Sequence, residues 1–187
     1  MDVRITYRHT SRLSMRLLKN GTLSISAPMG TPRSVVLEFF ERNKPWIEKA
    51  RQRVARQAQT RQDFFGQLPL HTKAEWSEAL LQLQRIIRPI LDRHTQEMGV
   101  MPSRIMYKAT ISRWGCCQPR TREICFSIYL LLLPEWCIEH VVVHELAHLL
   151  VPNHSAKFYA VMDRHFPRWR EARAETKRIS RMEDHEK

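Results

Sequence analysis

Residues 144–148 place two histidines and a glutamate in the pattern His-Glu-Leu-Ala-His. If the segment is helical, His144 and His148 lie one turn apart on one face, and both imidazoles can reach a single cation. Glu145 projects beside this pair and can take a proton from a water on the cation. Apolar residues flank the segment on both sides, which predicts burial, and buried histidines and glutamates are costly unless they are paired or ligating. The pattern therefore predicts a metal-dependent hydrolase.

A third histidine completes the predicted metal shell. Catalytic zinc usually takes three protein ligands and leaves one position for water. His154 follows His148 by six residues, beyond a predicted helix break at 151–153, so a sharp turn can return its imidazole to the same ion. We therefore predict Zn²⁺ as the cofactor, held by His144 together with these two histidines, and Glu145 as the general base.

Three neighbouring residues stay open as further members of the site. His140 precedes His144 by four residues and so lies near the same face; it is an outer group, a ligand or an ordinary buried histidine. Peptide hydrolysis also needs a group that stabilises the oxyanion. Tyr159 and His165 are candidates by position, with ordinary packing as the alternative for Tyr159.

The helices that must position these residues follow from prolines and apolar spacing. Pro134 opens a helix at about Glu135, which is predicted to run through Val151 and to be stopped by Pro152. Another helix is predicted to start near Ser155. The metal-binding pattern therefore falls near the C-terminal end of one helix, and its third histidine falls in the turn before the next.

Upstream of this region the chain alternates between helical and extended patterns. Apolar residues at helical spacing predict a long amphipathic helix that ends at Gly99. Strands are predicted at 104–108 and 124–126, with a loop at 112–115 between them. The expected active-site helix is thus preceded by a small sheet.

The first seventy residues have a different character. Alternating apolar residues on both sides of Asn20-Gly21 predict a β-hairpin, and two helical segments separated at Pro45 follow it. Residues 66–70 look like a connector. We predict two domains: residues 1–70 form an N-terminal lobe of β-hairpin and basic helices, and residues 71–187 form the core that carries the metal site.

Charge and composition limit the classes of partner. The 187-residue chain has a formal net charge of +12, and such a surface attracts nucleic acid, anionic membranes or acidic proteins without a sequence code. The densest basic stretch, residues 49–61, also fits a solvated helix face. The longest apolar run, residues 128–134, is far below the roughly 20 residues that cross a bilayer. The four cysteines form no Cys-x-x-Cys pair, which disfavours a structural zinc knuckle, so we expect a cytoplasmic protein that inserts in no membrane.

Residues 111–170 resemble the YgjP-like metallopeptidase family, a relative of the SprT-like and WLM peptidases within the zincins. The matching segments are SRWG at 112–115, VVVHELAHL at 141–149, NHSAKFY at 153–159 and FPRWR at 166–170. A weaker match, KPWI at 44–47, and the N-terminal hairpin extend the resemblance over nearly the whole chain.

The resemblance implies an α+β fold, a zincin-like minimal metallopeptidase with a small antiparallel sheet, an active-site helix and an N-terminal hairpin and helix lobe. It also implies zinc, with the same three histidines and Glu145. The family usually has a serine at the position of Cys116 and an asparagine near Ser127. These departures leave the role of the SRWG loop open: Arg113 and Trp114 either line the cleft and bind substrate, or lock the loop against the core.

The leading functional hypothesis is peptide hydrolysis at an HExxH-x5-H zinc site, with a protein or peptide substrate. One alternative is hydrolysis of a nucleotide or another small anionic substrate by the same metal. The other is a basic nucleic-acid-binding module with a metal site, including a DNA-associated protease, since the related SprT-like and WLM peptidases act on proteins attached to DNA. The oligomeric state stays open.

Overall fold

The structure is a computed structural model that describes residues 2–18 and 20–180. This part of the chain contains two three-stranded sheets and six α-helices, so the predicted α+β class is confirmed. The chain divides between Thr60 and Arg61 into two compact units, while the predicted domain boundary after residue 70 stays a prediction. Residues 1, 19 and 181–187 of the predicted domains lie outside the described residues. No described helix is both long and apolar enough to span a bilayer.

The N-terminal unit is built on a three-stranded sheet with the order β1-β3-β2. Its strands are β1 (Val3–Arg8), β2 (Ser14–Leu17) and β3 (Leu23–Pro28). The hairpin of β2 and β3 is antiparallel, as the alternation predicts, and Gly21 in its turn has a φ of 81°. Strand β1 pairs with β3 in parallel, a long-range pairing on which the alternation is silent. One face of β3 is fully buried, in a cluster with Val36 of α1 (Arg33–Arg42) and Ile47 of α2 (Lys44–Gly66).

The second unit contains the other sheet and the helices around it. Its elements are, in chain order, α3 (Lys73–Met98), β4 (Arg104–Lys108), β5 (Gly115–Gln118), β6 (Glu123–Ser127), a 3-10 helix (Ile128–Leu132), α4 (Glu135–Ala147), α5 (Ala156–His165) and α6 (Trp169–Ser180). The sheet order is β4-β6-β5, with β4 parallel and β5 antiparallel to β6. The sheet is therefore mixed, not antiparallel throughout as expected, because only β5 and β6 are joined by a turn short enough to require antiparallel pairing.

Helix α3 is defined at both ends by its sequence. Thr72 and Glu75 form a capping box, in which the Thr72 hydroxyl accepts from the Glu75 backbone N–H at 3.1 Å and the Glu75 carboxylate accepts from the Thr72 N–H at 2.9 Å. Gly99 ends the helix in the left-handed conformation, with φ of 64°. Its buried face, including Leu83 and Ile87, joins the core that also contains the apolar residues of α4.

Helix α4 is attached to α3 by a polar contact as well as by apolar packing. His94 of α3 is 3% exposed, and its Nε2 lies 2.8 Å from Oε1 of Glu139 on α4. Arg93 donates to the same oxygen at 2.6 Å. Two donors on α3 thus satisfy one carboxylate on the first half of α4, which keeps this partly buried charge paired.

The C-terminal end of α4 differs from the prediction. The helix ends at Ala147 rather than at Val151. The backbone N–H groups of Leu149 and Leu150 bond three residues back, to Leu146 and Ala147, each at 3.0 Å, and Val151 bonds to the same Ala147 carbonyl at 2.8 Å, so the regular four-residue ladder stops. As a result, the second histidine of the pattern lies one residue beyond the helix.

Candidate metal centre

The three predicted ligands lie together at the end of α4 and in the turn that follows. One nitrogen each from His144, His148 and His154 lies within 4.8 Å of the other two, and no other group of three or more histidine, cysteine or acidic side chains in the described residues does so. The Nε2 atoms of His144 and His154 are 3.1 Å apart. Two imidazole nitrogens on one tetrahedral zinc are separated by about 3.3 Å, so the spacing here is already close to that of two ligands.

The local backbone explains this convergence. His144 occupies the last turn of α4, and the backbone N–H of His148 still donates to its carbonyl at 3.3 Å. The chain then reverses, and His154 lies two residues before Ala156, the first residue of α5. Phe158 of α5 is fully buried, and its ring centroid lies 4.9, 4.7 and 4.8 Å from those of the three imidazoles. One aromatic ring therefore supports all three.

The chemistry of the donor set fits a zinc ion. Burial lowers the pKa of His144 well below its ordinary value, and the neighbouring imidazoles lower it further, which favours the neutral form of the ring that can bind a metal. Nδ1 of His148 lies 3.3 Å from the carbonyl oxygen of Val151. Because a carbonyl oxygen only accepts hydrogen bonds, this contact places the ring proton on Nδ1. The unprotonated Nε2 is then the atom that can bind a metal. Neutral imidazole nitrogens are ligands that zinc accepts readily.

Glu145 is enclosed between α4 and the start of β5. Its side chain is 6% exposed, and burial raises its pKa to about 8, while the positive charge of Arg113 acts to lower it. A Cβ atom on Gly115 would lie 2.6 Å from Oε1 of Glu145. The carboxylate therefore occupies the space that any other residue at position 115 would fill. In the sequence, the glycine of SRWG was a signal that something packs closely at position 115, but nothing indicated that Glu145 is the residue that does so.

The two residues predicted to bind substrate have different surroundings. Trp114 is half-buried, and its ring packs edge-on against Phe64 at 6.3 Å and at an angle to Phe65 at 6.0 Å between centroids. Arg113 is exposed and acts on Glu145 through its charge. The predicted substrate contacts of both residues stay predictions.

The residues left open by the sequence are also distinct from one another. His140 is buried, with its ring 5.9 Å from that of His144, and lies outside the group of three ligands. Tyr159 stacks on Trp169, with centroids 5.1 Å apart and planes at 20°. His165 lines a cavity of about 580 Å³ whose lining contains none of the three clustered histidines. Tyr159 also lies beside the cluster, with its ring centroid 6.5 Å from that of His154, so both His140 and Tyr159 adjoin the three histidines.

Comparisons with known proteins place this geometry in a family. The profile described as "YgjP-like, metallopeptidase domain" matches residues 71–179. Proteins of curated function give no significant match. The crystal structure of the metallopeptidase zymogen abylysin from Pyrococcus abyssi is similar over 49% of this chain and 92% of its own, with 20% identity and a TM-score of 0.46. Because the profile covers more than half of the chain and contains the histidine cluster, the protein belongs to the YgjP-like metallopeptidase family.

Proposed function

We propose that the protein is a zinc peptidase in which His144, His148 and His154 hold the metal and Glu145 is the general base. The observation that carries the proposal is the convergence of three imidazole nitrogens within 4.8 Å of one another. Three nitrogen ligands leave a fourth tetrahedral position open, as in catalytic zinc sites, whereas structural sites usually close it with a fourth side chain. Family membership supports a peptide or protein substrate.

The chain's own residues supply the acid–base chemistry of this proposal. A bound zinc ion would polarise the scissile carbonyl and lower the pKa of the attacking water. Glu145 takes the proton of that water and passes it to the leaving amine. Burial favours the protonated form of Glu145 and so raises its pKa. The positive charges of Arg113 and of a bound cation would favour the carboxylate and lower that pKa again. A base balanced in this way exchanges protons readily near neutral pH.

Glu145→Gln tests the base. The amide has nearly the same shape, so the variant is expected to bind one equivalent of zinc while its kcat falls about 10²–10⁴-fold. The assay is cleavage of a fluorescently labelled unfolded protein, with zinc measured by elemental analysis. If the variant cleaved protein as fast as the wild type, Glu145 would not be the general base. If the wild type hydrolysed nucleotides but not proteins, the small-anion alternative would replace the peptidase proposal.

His154→Ala tests the metal shell independently of any substrate. We expect bound zinc to fall from about one equivalent to nearly none. The matched control is His9→Ala, which removes an exposed histidine of the N-terminal unit and should leave the zinc content unchanged. A full equivalent of zinc in His154→Ala would contradict the proposed ligand set.

The N-terminal unit supports nucleic acid as a second partner. Residues 1–60 contain 12 Lys and Arg against 4 Asp and Glu, which gives +8 of the total net charge of +12. In the sheet register Arg4 and Arg16 flank Ser24 from either side, and Arg8 lies four residues along β1 from Arg4. Side chains alternate along a strand, so these three exposed arginines share the sheet face opposite the buried one. We call them the arginine face.

An arginine face with serine and threonine between its cations suits phosphate oxygens, which arginines and hydroxyls commonly contact. Binding of this kind depends on salt, with about 0.9 added to the slope of log K against log [salt] for each phosphate neutralised. We expect duplex DNA to bind at low salt, and replacement of all three arginines by glutamine to reduce that slope by about 2–3.

The control removes three exposed arginines of the second unit, Arg85, Arg88 and Arg104, and so gives the same net charge. Fluorescence anisotropy with labelled DNA at several salt concentrations measures both slopes. Equal losses in the two triple variants, or binding to anionic vesicles but not to DNA, would contradict the arginine face as a nucleic-acid surface.

A further inference from the structure

Two of the four cysteines face each other across the second sheet. Cys116 of β5 and Cys125 of β6 are direct partners in the antiparallel register, so their side chains lie on the same face of the sheet. Cys125 is buried, whereas Cys116 is half-buried. Adjacent residues on one strand point to opposite faces, so Cys116 and its sequence neighbour Cys117 have different surroundings.

The register fixes how far apart the two backbones are. The Ser127 N–H donates to the Trp114 carbonyl at 2.8 Å, and hydrogen-bonded pairs alternate along an antiparallel ladder. Cys116 and Cys125 therefore form a hydrogen-bonded pair, with Cα atoms about 5.5 Å apart. This value lies within the range of about 4.4–6.8 Å found across disulfides. Directly opposite Cβ atoms in a sheet are about 4.5–5.5 Å apart, with hydrogen-bonded pairs at the upper end, and a disulfide needs about 3.5–4.5 Å. Bond formation must therefore draw the two Cβ atoms, and with them β5 and β6, together by about 1–2 Å.

Such a shift reaches Glu145. Gly115 precedes Cys116 on β5, and its backbone leaves room only for the Glu145 side chain. Cys117, on the other side of Cys116, is close enough for the charge of Glu145 to act on its thiol. Gly115 thus contacts Glu145 directly, and Cys117 lies within range of its charge, so a movement of β5 alters the contact that confines this side chain.

We propose that Cys116 and Cys125 form a reversible intrachain disulfide with a small-molecule disulfide as oxidant, and that this bond lowers peptidase activity. The effect on activity rests on the proposed function, whereas formation of the disulfide does not. With oxidised glutathione, the half-buried Cys116 attacks one sulfur of the oxidant and releases one glutathione thiol. Cys125 then attacks Sγ of Cys116, forms the intrachain bond and releases the second glutathione. The two protons of the protein thiols end on the two glutathione molecules, so the cysteine pair is oxidised as the glutathione disulfide is reduced.

The other two cysteines are poor competitors. Burial raises the pKa of Cys117 to about 12, and the nearby charge of Glu145 adds to this, so its thiolate is scarce. Burial also raises the pKa of Cys125, and what distinguishes Cys125 is its position directly opposite Cys116. Cys137 is buried, and its thiol donates to the Ala172 carbonyl. The thiolate is the reactive form, and neither Cys117 nor Cys137 is paired with another thiol in the sheet register.

The test uses the full chain in glutathione buffers of increasing oxidation. Free thiols are expected to fall from four to two, and peptide mapping should find the link between Cys116 and Cys125. Cys116→Ser should abolish the link, and Cys137→Ala, as matched control, should keep it. If either variant folds poorly, thiol counting and mapping of the wild type still decide the question. Four persisting thiols, a link through Cys117 or stable glutathione adducts alone would overturn the proposal.

Activity tests the consequence. We expect oxidation to lower kcat about 10-fold or more, a reducing agent to restore it, and Cys116→Ser to remain active and insensitive to the oxidant. A disulfide that forms without change in kcat would overturn the coupling to Glu145. A reduced wild type that cleaves no protein would refute the peptidase proposal and would leave the thiol count as a separate result.

Discussion

Gly115→Ala tests the close packing of Glu145 against β5 directly. The added carbon would lie 2.6 Å from Oε1, 2.7 Å from Cγ and 2.9 Å from Cδ of Glu145, where ordinary contact begins at 3.4 Å. The side chain must therefore move by about 0.8 Å, and at 6% exposure it has little free space in which to do so. Because two of the three close atoms are not the end of the side chain, a rotation of the carboxylate does not relieve the overlap.

We expect two measurable effects of this overlap. Displacing a catalytic group by about 1 Å can lower the rate about 10²-fold, so kcat for an unfolded protein substrate should fall by that order. Overpacking a filled site costs about 1–3 kcal/mol, which urea denaturation measures without any substrate. Bound zinc should stay near one equivalent, because the proposed metal ligands are other residues.

Gly66→Ala is the matched control, since a Cβ at that position meets nothing within 4 Å and its backbone is not left-handed. This variant should match the wild type in kcat and be equal or slightly higher in stability. A Gly115→Ala protein with wild-type kcat and wild-type stability would refute the argument that the glycine exists to make room for Glu145.

Three further substitutions test other parts of the structure. Phe158→Ala removes the fully buried ring beneath the three imidazoles, and urea denaturation should show a loss of about 3–5 kcal/mol; zinc titration should also show weaker binding, and unchanged affinity would contradict the supporting role of the ring. Ser127→Ala removes a fully buried hydroxyl that donates to the Thr110 carbonyl at 2.6 Å. The carbonyl left unpaired should lower the free energy of unfolding by about 1–3 kcal/mol in the same assay, and unchanged stability would contradict this role. Hydrogen bonds from Arg170, and then from Trp169, hold the pKa of Asp163 below its ordinary value, so this group stabilises the fold above its unfolded pKa and the effect is lost as the pH falls through its folded pKa. The Tm of Asp163→Asn should accordingly be lower than that of the wild type at neutral pH and converge with it in acid, whereas a constant difference would contradict the ion pair.

Local periodicity was sufficient to predict much of the molecule. The spacing of His144 and His148 along one helical face, and the turn that returns His154, depend on residues close in sequence, so their convergence could be anticipated. The antiparallel hairpin around Asn20-Gly21 and the end of α3 at Gly99 follow from short-range signals of the same kind. Each of these features is decided within about ten residues.

Contacts between distant residues could not be predicted in this way. The parallel pairing of β1 with β3, and of β4 with β6, depends on chain crossings that alternation does not encode. Strand β5 has four residues and was not predicted, since the loop predicted at 112–115 includes only its first residue. Its register against β6, and with it the pairing of Cys116 with Cys125, could therefore not be anticipated. The early end of α4 depends on a change from four-residue to three-residue backbone hydrogen bonds. The spacing of apolar residues does not predict where in a helix such a change occurs.

The pairing of Glu139 with His94 and Arg93 has a consequence for how the protein responds to a chelator. It ties the first half of α4 to α3, while the cluster of histidines lies at the opposite end of the same helix and in the turn beyond. If the proposed ion binds there, its removal should leave α3 and α4 folded and loosen only residues 148–155. Amide hydrogen exchange would accelerate in these residues and stay slow along α3, so that apo protein retains a folded scaffold ready to accept a new ion.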